Sequence, residues 1–459
     1  MKTIVFVTQS MIEKNMMKKD EYFGYMKKYL SDISKIKDIQ LIIKLHPAEK
    51  HRKDYENIIK NIGINATILQ KGHQYILEDS LKSADIVIGF KSSTVLMAMI
   101  MQKPVIGIGI LDGIHDLDKY YYSKKEDSAI MKINKNADVS TAIKKLFITK
   151  NRDALIKKQN KYIDDFFYTT KDVYKNIAKV IEQLLKTNNK MTVLKGNSAI
   201  CNIGAMPIKW FFDPAINRKM SPMNISNSAS SFLFRKLLSL NEKTKIILSK
   251  TIDDFPVHDV MFLTFTPFIS QNGDRYTENI NITIRDKGIK TGYLVFDPFS
   301  KTASRKLGTL HTIYSYIGLL DKNPIKQHAN KLANIMKTPE EKTYFSKNML
   351  YIALLYYEAV RLALQKHKTK ILFITGDSSI IERCAIAAAD SCNVKVLINP
   401  IGLGFMIHDC PRQENIYMAV FGKDHKKMLM ENGVKSDHIF LTGSIMFDKL
   451  GKYLKNNRI

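Results

Sequence analysis

Two polar motifs in the first part of the chain follow apolar runs, and their residue types suit phosphate binding. His46-Pro47 comes directly after IQLIIKL, and Ser92-Ser93-Thr94 comes after ADIVIGFK, where an apolar helix is predicted over 93–101. A helix N-terminus offers free N–H groups and the positive end of a dipole, and hydroxyl groups add donors. An imidazole can donate to a phosphoryl oxygen. Each motif alone also fits a structural role, as a helix cap or a loop histidine, but the pair favours one shared phosphate or nucleotide site.

Two glycines in the next apolar run, Gly107 and Gly109 of VIGIGI, are predicted to border the same site. Ligands of open parallel sheets bind at the carboxyl ends of the strands, and glycine lets a ligand approach the backbone closely. The sequence contains no GxGxxG, P-loop, HExxH or GxSxG motif. The sequence therefore does not indicate a dinucleotide-binding fingerprint or a P-loop nucleotide-binding site. It also does not indicate a zinc metallopeptidase or a serine hydrolase.

The second part of the chain carries the candidate general base, Asp377, directly after the apolar run KILFIT and Gly376. A carboxylate at a strand end can deprotonate an acceptor hydroxyl, although an N-cap for the helix predicted over 380–391 would use the same residue type. Asp297, after GYLVF, is a weaker candidate of the same kind. The end of the run VKVLINP and the loop after it supply three further candidates for a cleft: Asn399, Gly402 and Gly404.

Apolar runs of strand length alternate with helical patterns along most of the chain, which predicts two α/β domains with parallel sheets. We expect one Rossmann-like domain over 1–186 and another over 258–459, facing each other across a cleft. Residues 187–257 are rich in polar residues and interrupted by glycines and prolines. We expect them to connect the domains with extra helices and a loop over 221–230.

The composition is that of a globular protein of several domains, with 459 residues, 45% hydrophobic and 25% charged. Four scattered cysteines without a CxxC pair argue against a disulfide scaffold or zinc ribbon and fit a reducing compartment. We expect a cytoplasmic location, because neither a signal peptide nor an apolar stretch of about 18 residues is evident. The net charge of +27 is spread over both halves, without a basic tail or an RNA-binding signature. This charge favours anionic glycan or lipid-phosphate partners over nucleic acid.

The order of these motifs resembles the donor-binding lobe of GT-B glycosyltransferases that build microbial surface carbohydrates. The likeness covers about residues 1–186: a strand, His46-Pro47, then SADIVIG, SST, an apolar helix and KPVI. It is similar to bacterial sialyltransferases, capsule Kdo transferases and teichoic-acid glycerophosphotransferases, which use cytidine-activated donors. The resemblance implies that His46, Pro47 and residues 92–94 hold the donor phosphate, with no metal or other cofactor.

Residues 258–450 resemble the acceptor-binding lobe of the same family, so the two lobes stand in reversed order. The last segment, FDKLGKYLKNNRI, would normally run into a segment like MKTIVFVTQS, which indicates a circular permutation at the hinge between the lobes. Such a cut is tolerable because it falls in an exposed linker and leaves both cores whole.

The resemblance predicts a metal-independent, inverting glycosyltransferase for a CMP-activated nonulosonic or Kdo-type sugar. His46 would stabilise the leaving phosphate, and Asp377 would accept the proton of the acceptor hydroxyl. The implied partners are a nucleotide-sugar donor and an anionic or lipid-linked glycan acceptor, with peripheral contact at the inner face of the plasma membrane.

Two alternatives stay open. One is a UDP-sugar transferase or 2-epimerase of the same fold, and the other is a non-catalytic protein that binds a glycan or a nucleotide sugar. Met97 stands where the family usually has a glutamate that holds ribose, and Asn399-Pro400-Ile401-Gly402 replaces a Gln-His-Gly motif. These two departures from the family pattern favour the non-catalytic alternative.

Overall fold

A computed structural model describes most of the chain. The residues outside the described part are 14–15, 48, 71–73, 91–92, 111–128, 168–170, 188–201, 204–205, 208–253, 265–268, 271–272, 275–276, 296–308, 336–346, 377–379, 401–413, 449 and 451–459. The described residues form two compact units, which divide between Lys171 and Asp172 and again after Asp448.

The first unit contains a six-stranded parallel sheet with strand order β3-β2-β1-β4-β5-β6. Its strands are β1 (Lys2–Val7), β2 (Ile39–Lys44), β3 (Ala66–Leu69), β4 (Ile86–Gly89), β5 (Val105–Gly109) and β6 (Met131–Asn134). Its helices are α1 (Lys19–Ser34), α2 (Arg52–Ile62), α3 (Gln74–Ser83), α4 (Ser93–Ile100), α5 (Val139–Phe147) and α6 (Thr149–Phe166). This strand order is that of a Rossmann fold, whose ligand crevice opens where the order reverses, between β1 and β4.

The second unit repeats this order with seven parallel strands, β13-β12-β9-β14-β15-β16-β17. These strands are β9 (Val260–Thr264), β12 (Thr291–Val295), β13 (Thr309–Thr312), β14 (Ile371–Ile374), β15 (Lys395–Ile398), β16 (Ile416–Val420) and β17 (Ile439–Leu441). Two short antiparallel pairs join β7 (Asn202–Ile203) to β8 (Met206–Pro207) and β10 (Ile269–Ser270) to β11 (Gly273–Asp274). The order of the large sheet places its reversal between β9 and β14.

Eight helices accompany the strands of the second unit in the described part of the chain. They are α7 (Val173–Lys186), α8 (Glu278–Arg285), α9 (Ile313–Leu319), α10 (Lys322–Ile335), α11 (Lys347–Lys366), α12 (Ile380–Ser391), α13 (Lys423–Glu431) and α14 (Ile445–Asp448), and a 3-10 turn covers Ser436–His438. None of the helices described is long and apolar enough to cross a membrane.

Both sheets owe their burial to continuous apolar strands. Strands β4, β9, β12, β14 and β15 are buried at every residue, as expected where helices cover both faces of a parallel sheet. The fold class predicted from the sequence, two Rossmann-like α/β domains with parallel sheets, is confirmed by the strand orders and directions.

The division of the chain differs from the predicted one at helix α7, which we expected to close the first domain at residue 186. The helix instead belongs to the second unit, and residues of that unit cap both of its ends. The Asp448 carboxylate accepts the N–H of Val173 at 2.7 Å, and the Lys395 ammonium donates to the carbonyl oxygens of Leu184 and Thr187. The buried face of α7 packs in the second core, with Ile177 and Ile181 against the strands. A helix whose apolar stripe and both ends are satisfied by one sheet is part of that sheet's domain.

Other elements also differ from the sequence prediction, among them β6 and α9, which were not predicted. Strand β13 was not predicted, because TLHT is short and mixes polar with apolar residues. The single helix predicted over about 325–367 is two described helices, α10 and α11, on either side of residues 336–346, which lie outside the described part.

Candidate functional site

The carboxyl edge of the first sheet brings together the ends of β1, β2 and β4. Thr8 follows β1, His46 follows β2, and Gly89 ends β4. Thr8 donates its N–H to the Lys44 carbonyl oxygen at 3.1 Å, and the His46 N–H donates to Thr8 Oγ1 at 3.0 Å. His46 therefore lies at this edge, just after β2, which is one strand away from the reversal of strand order between β1 and β4.

A buried carboxylate, Glu49, fixes the loop that carries His46. Its Oε2 accepts the His46 N–H at 2.7 Å and the Thr8 hydroxyl, and its own N–H donates to the His46 carbonyl oxygen at 3.0 Å. Its Oε1 accepts the Tyr55 hydroxyl at 2.8 Å and the Tyr22 hydroxyl at 3.3 Å. The Glu49 side chain thus closes a tight turn from within the core. Sequence reasoning missed this residue, although a carboxylate three positions after His46 is compatible with such a turn.

The electrostatics of this cluster follow from its burial. Desolvation raises the pKa of the Glu49 carboxyl, against the opposing effect of donors from Thr8, Tyr55 and the His46 backbone. Burial and the nearby Glu49 charge raise the pKa of the Tyr22 phenol, so it stays protonated and able to donate. The cluster therefore positions the His46 backbone rigidly, while the imidazole itself is half-buried and Pro47 is exposed.

The serine–threonine motif lies at the start of helix α4. Helix α4 begins at Ser93, Thr94 is partly exposed, and Met97 is buried, 5% exposed. A methionine buried on α4 cannot take over the ribose-binding role of a glutamate, because it offers no charged or strong hydrogen-bonding group.

The two glycines of β5 differ from each other. A β-carbon at Gly107 would overlap Cδ1 of Ile130, so this glycine makes room for a core side chain. Gly109 is exposed at the end of the strand, and its nearest atom, the Ile133 carbonyl oxygen, would lie 3.6 Å from a β-carbon. Gly109 is therefore the better placed of the pair to face a ligand.

The carboxyl edge of the second sheet carries buried polar atoms that have no hydrogen-bond partner in the described part of the chain. They are Asn399 Oδ1 after β15, both ring nitrogens of His425 in the first turn of α13 after β16, and Ser444 Oγ after β17. All three residues are less than a tenth exposed. The Asn399 amide is held in place, because its Nδ2 donates to the Ala419 carbonyl oxygen at 2.9 Å.

Unsatisfied buried polar groups are costly, so they point to a missing partner. Such atoms also occur within helices of this chain, but these three follow neighbouring strands at the edge where ligands bind in such sheets. Burial lowers the pKa of His425 to about 4, so the ring is neutral and can donate from one nitrogen and accept at the other. The sequence predicted Asn399 and missed His425 and Ser444.

Several predicted residues lie outside the described part of the chain. Asp377, Asp297, Ser92, Gly402 and Gly404 belong to this group, and so does the loop 221–230.

The described geometry defines a protein with two parallel sheets in the strand order of a Rossmann fold, each with polar residues at its carboxyl edge.

No family model matches the chain, and no curated protein matches it. Solved structures that align with it include a UDP-GlcNAc 2-epimerase from Neisseria meningitidis bound to UDP-GlcNAc, with 11% identity, all of both chains covered and a TM-score of 0.17. A putative UDP-N-acetylglucosamine 2-epimerase from Listeria monocytogenes aligns with 10% identity over 98% of this chain and 94% of its own, with a TM-score of 0.18. The UDP-GlcNAc 2-epimerase from Methanocaldococcus jannaschii aligns with 9% identity over all of both chains, with a TM-score of 0.17. Similarity at this level carries no argument about the activity of the chain. The fold assignment rests on the order and direction of the strands in the two sheets.

Proposed function

We propose that the chain is an enzyme that acts on a nucleotide-activated sugar and binds the nucleotide phosphate at the carboxyl edge of its first sheet. The observation that carries this proposal is the fixed His46 turn after β2, the strand next to β1. Glu49 and Thr8 hold the His46 backbone there through three hydrogen bonds, so the backbone that carries the imidazole needs little further ordering when a ligand binds. A donor at this place can stabilise a phosphate that gains charge as a leaving group.

In this proposal the second sheet binds the part of the substrates that carries hydroxyl groups. Asn399 Oδ1 can accept from a hydroxyl, while Ser444 Oγ and neutral His425 can either donate or accept. Asp377, which follows KILFIT and Gly376 in the sequence, is proposed as the general base that takes the proton of the reacting hydroxyl.

The first reaction to test is transfer of a CMP-activated sugar to a glycan acceptor, which the sequence resemblance implies. The second candidate is chemistry on a UDP sugar, by transfer or 2-epimerisation, which is the alternative of the same fold that the sequence leaves open. Both reactions use the same phosphate position, so the nucleotide preference separates them.

The decisive measurement is a melting-temperature panel with CMP, CDP, UDP, GDP and ADP on the wild-type chain and on His46→Ala. A ligand that binds only the native state raises its stability, by about 2.7 kcal/mol at a concentration of 100 times Kd. We expect CMP or UDP to raise the melting temperature of the wild type and to lose most of this effect in His46→Ala. The matched control is His51→Ala, a histidine of the same unit that lies at the start of α2 and pairs with Asp54 at 3.3 Å.

The pattern of responses assigns the reaction. Selective stabilisation by CMP directs the next assay to sugar transfer, and selective stabilisation by UDP directs it to epimer formation followed by NMR. An equal response of wild type and His46→Ala would show that the nucleotide binds elsewhere. No response to any nucleotide would contradict the proposed function.

A further inference from the structure

Three buried histidines meet in the second unit, in a place that the proposed reaction does not use. His258 precedes β9, His311 lies in the edge strand β13, and His367 lies between α11 and β14. Each is less than a tenth exposed, and one nitrogen from each ring lies within 4.8 Å of the other two. We propose that His258, His311 and His367 bind one divalent transition-metal ion of the zinc class, with the fourth position open to another ligand.

The backbone makes room for this meeting of rings. In the sheet, β12 separates β9 from β13, so His258 can reach His311 only by crossing over β12. It crosses at Gly292, where a β-carbon would lie 2.5 Å from Cδ2 and 2.6 Å from Nε2 of His258. Any other residue at position 292 would push the ring away, because real side chains do not tolerate such distances. The glycine therefore opens the space that the histidine cluster fills.

Hydrogen bonds orient the cluster as in metal sites. His367 Nδ1 lies 2.6 Å from the Pro256 carbonyl oxygen, which can only accept, so Nδ1 carries the proton and Nε2 carries a lone pair. A carbonyl bound to the outer nitrogen is the usual way in which a metal-ligating histidine is fixed. The backbone adds a further tie, since the His258 N–H donates to the His367 carbonyl oxygen at 3.0 Å.

The ligand atoms must rearrange to hold an ion. The Nε2 atoms of His258 and His311 are 2.9 Å apart and share one proton in a hydrogen bond. This proton must leave, or move to Nδ1 of the same ring, before both nitrogens can bind the ion. Two nitrogens on one tetrahedral zinc ion, each at 2.0–2.1 Å from it, lie about 3.4 Å apart. His367 Nε2 now accepts from the Tyr316 hydroxyl at 2.5 Å and would exchange this donor for the metal.

The donor atoms of the three rings suit the same class of ion. Metal ligands must be neutral imidazoles, and nitrogen donors of this kind prefer zinc, copper and nickel over magnesium or calcium. The ion would join the edge strand β13 to the centre of the sheet.

The test uses the full chain, freed of metal with EDTA and then exposed to Zn²⁺ or Co²⁺. We expect one Zn²⁺ per chain by mass spectrometry after gel filtration, and the visible absorption of tetrahedral cobalt with Co²⁺, displaced by Zn²⁺. Zn²⁺ should also raise the melting temperature reversibly. These readings are made on the wild type, so they do not depend on a variant that folds.

Two variants locate the ion and one serves as control. His311→Gln and Gly292→Ala should each lower the Zn²⁺ affinity by about 100-fold, the first by removing a ligand and the second by displacing His258. His328→Gln, an exposed histidine of α10, should keep one ion per chain and so excludes surface binding. Absence of bound Zn²⁺ in the wild type, or unchanged occupancy in His311→Gln, would overturn the proposal. Either outcome is independent of the response to nucleotides.

Discussion

The carboxyl edges of the two sheets differ in how their buried polar groups are satisfied. At the first edge, Glu49 receives hydrogen bonds from Thr8, His46, Tyr22 and Tyr55, so its carboxylate is saturated from within the protein. At the second edge, Asn399, His425 and Ser444 keep polar atoms without partners among the described residues. The difference teaches that one strand order can serve two purposes. The first edge fixes a loop in one conformation, and the second keeps hydrogen-bonding capacity that the described residues do not use.

The largest effect that we expect comes from breaking the saturated edge with Glu49→Ala. This change removes the charged acceptor of the His46 N–H and of the two tyrosine hydroxyls, although the N–H keeps Thr8 Oγ1 and the two hydroxyls keep each other as partners. Hydrogen bonds to a charged group contribute about 1.5–3 kcal/mol. Urea unfolding should therefore show a loss of about 2–3 kcal/mol, and the nucleotide response should disappear with it. The control is Glu56→Ala on the exposed face of α2, whose ion pair with Arg52 lies at the surface and contributes little. Equal stability of the two variants would mean that the Glu49 network does not hold the turn.

An intermediate effect concerns acid stability at the second edge. Because the folded-state pKa of His425 is about 4, below the ordinary value of 6.5, the unfolded chain takes up the proton first. Its contribution to stability is therefore lost as the pH falls from about 6.5 toward 4, by about 1 kcal/mol at pH 5.5. His425→Leu should lose less stability than the wild type between pH 7.5 and 5.5, as measured by urea unfolding at each pH. An unchanged pH dependence would show that His425 is not buried in its neutral form.

We expect the smallest change in stability for Ser444→Ala. This variant also tests most directly whether a residue of the second edge affects activity without affecting stability. This variant removes a buried hydroxyl that has no described partner, so its melting temperature should be equal to or slightly above that of the wild type. If the second edge binds a substrate hydroxyl, KM should rise or kcat fall in the same variant. Ser436→Ala, in the exposed 3-10 turn, is the control for both readings. A clear loss of stability would mean that Ser444 has a structural partner, and the comparison between the two edges would fail.

The sequence predicted the elements that depend on local pattern. Continuous apolar runs identified most of the strands, and alternation with helices predicted the two parallel sheets and the place of His46 at a strand end. Contacts between distant residues were not predictable in this way. Glu49 gains its role from Tyr22 and Tyr55, and the histidine cluster needs a strand order that brings β13 beside β12. Helix α7 was assigned to the wrong domain for the same reason, because its caps come from residues far along the chain.

That capping of α7 also has a consequence for synthesis of the protein. The helix is translated 211 residues before Lys395, which holds its C-terminal end, and 275 residues before Asp448, which holds its N-terminal end. At about 5–20 residues per second, roughly 10 to 40 s pass before Lys395 is made and can hold the C-terminal end of the helix. Throughout this interval the apolar face of the helix lacks part of the core that it packs against, which includes Leu397 and Ala419. A fragment that stops at residue 186 would keep that exposed face permanently, whereas one that stops at residue 171 would not.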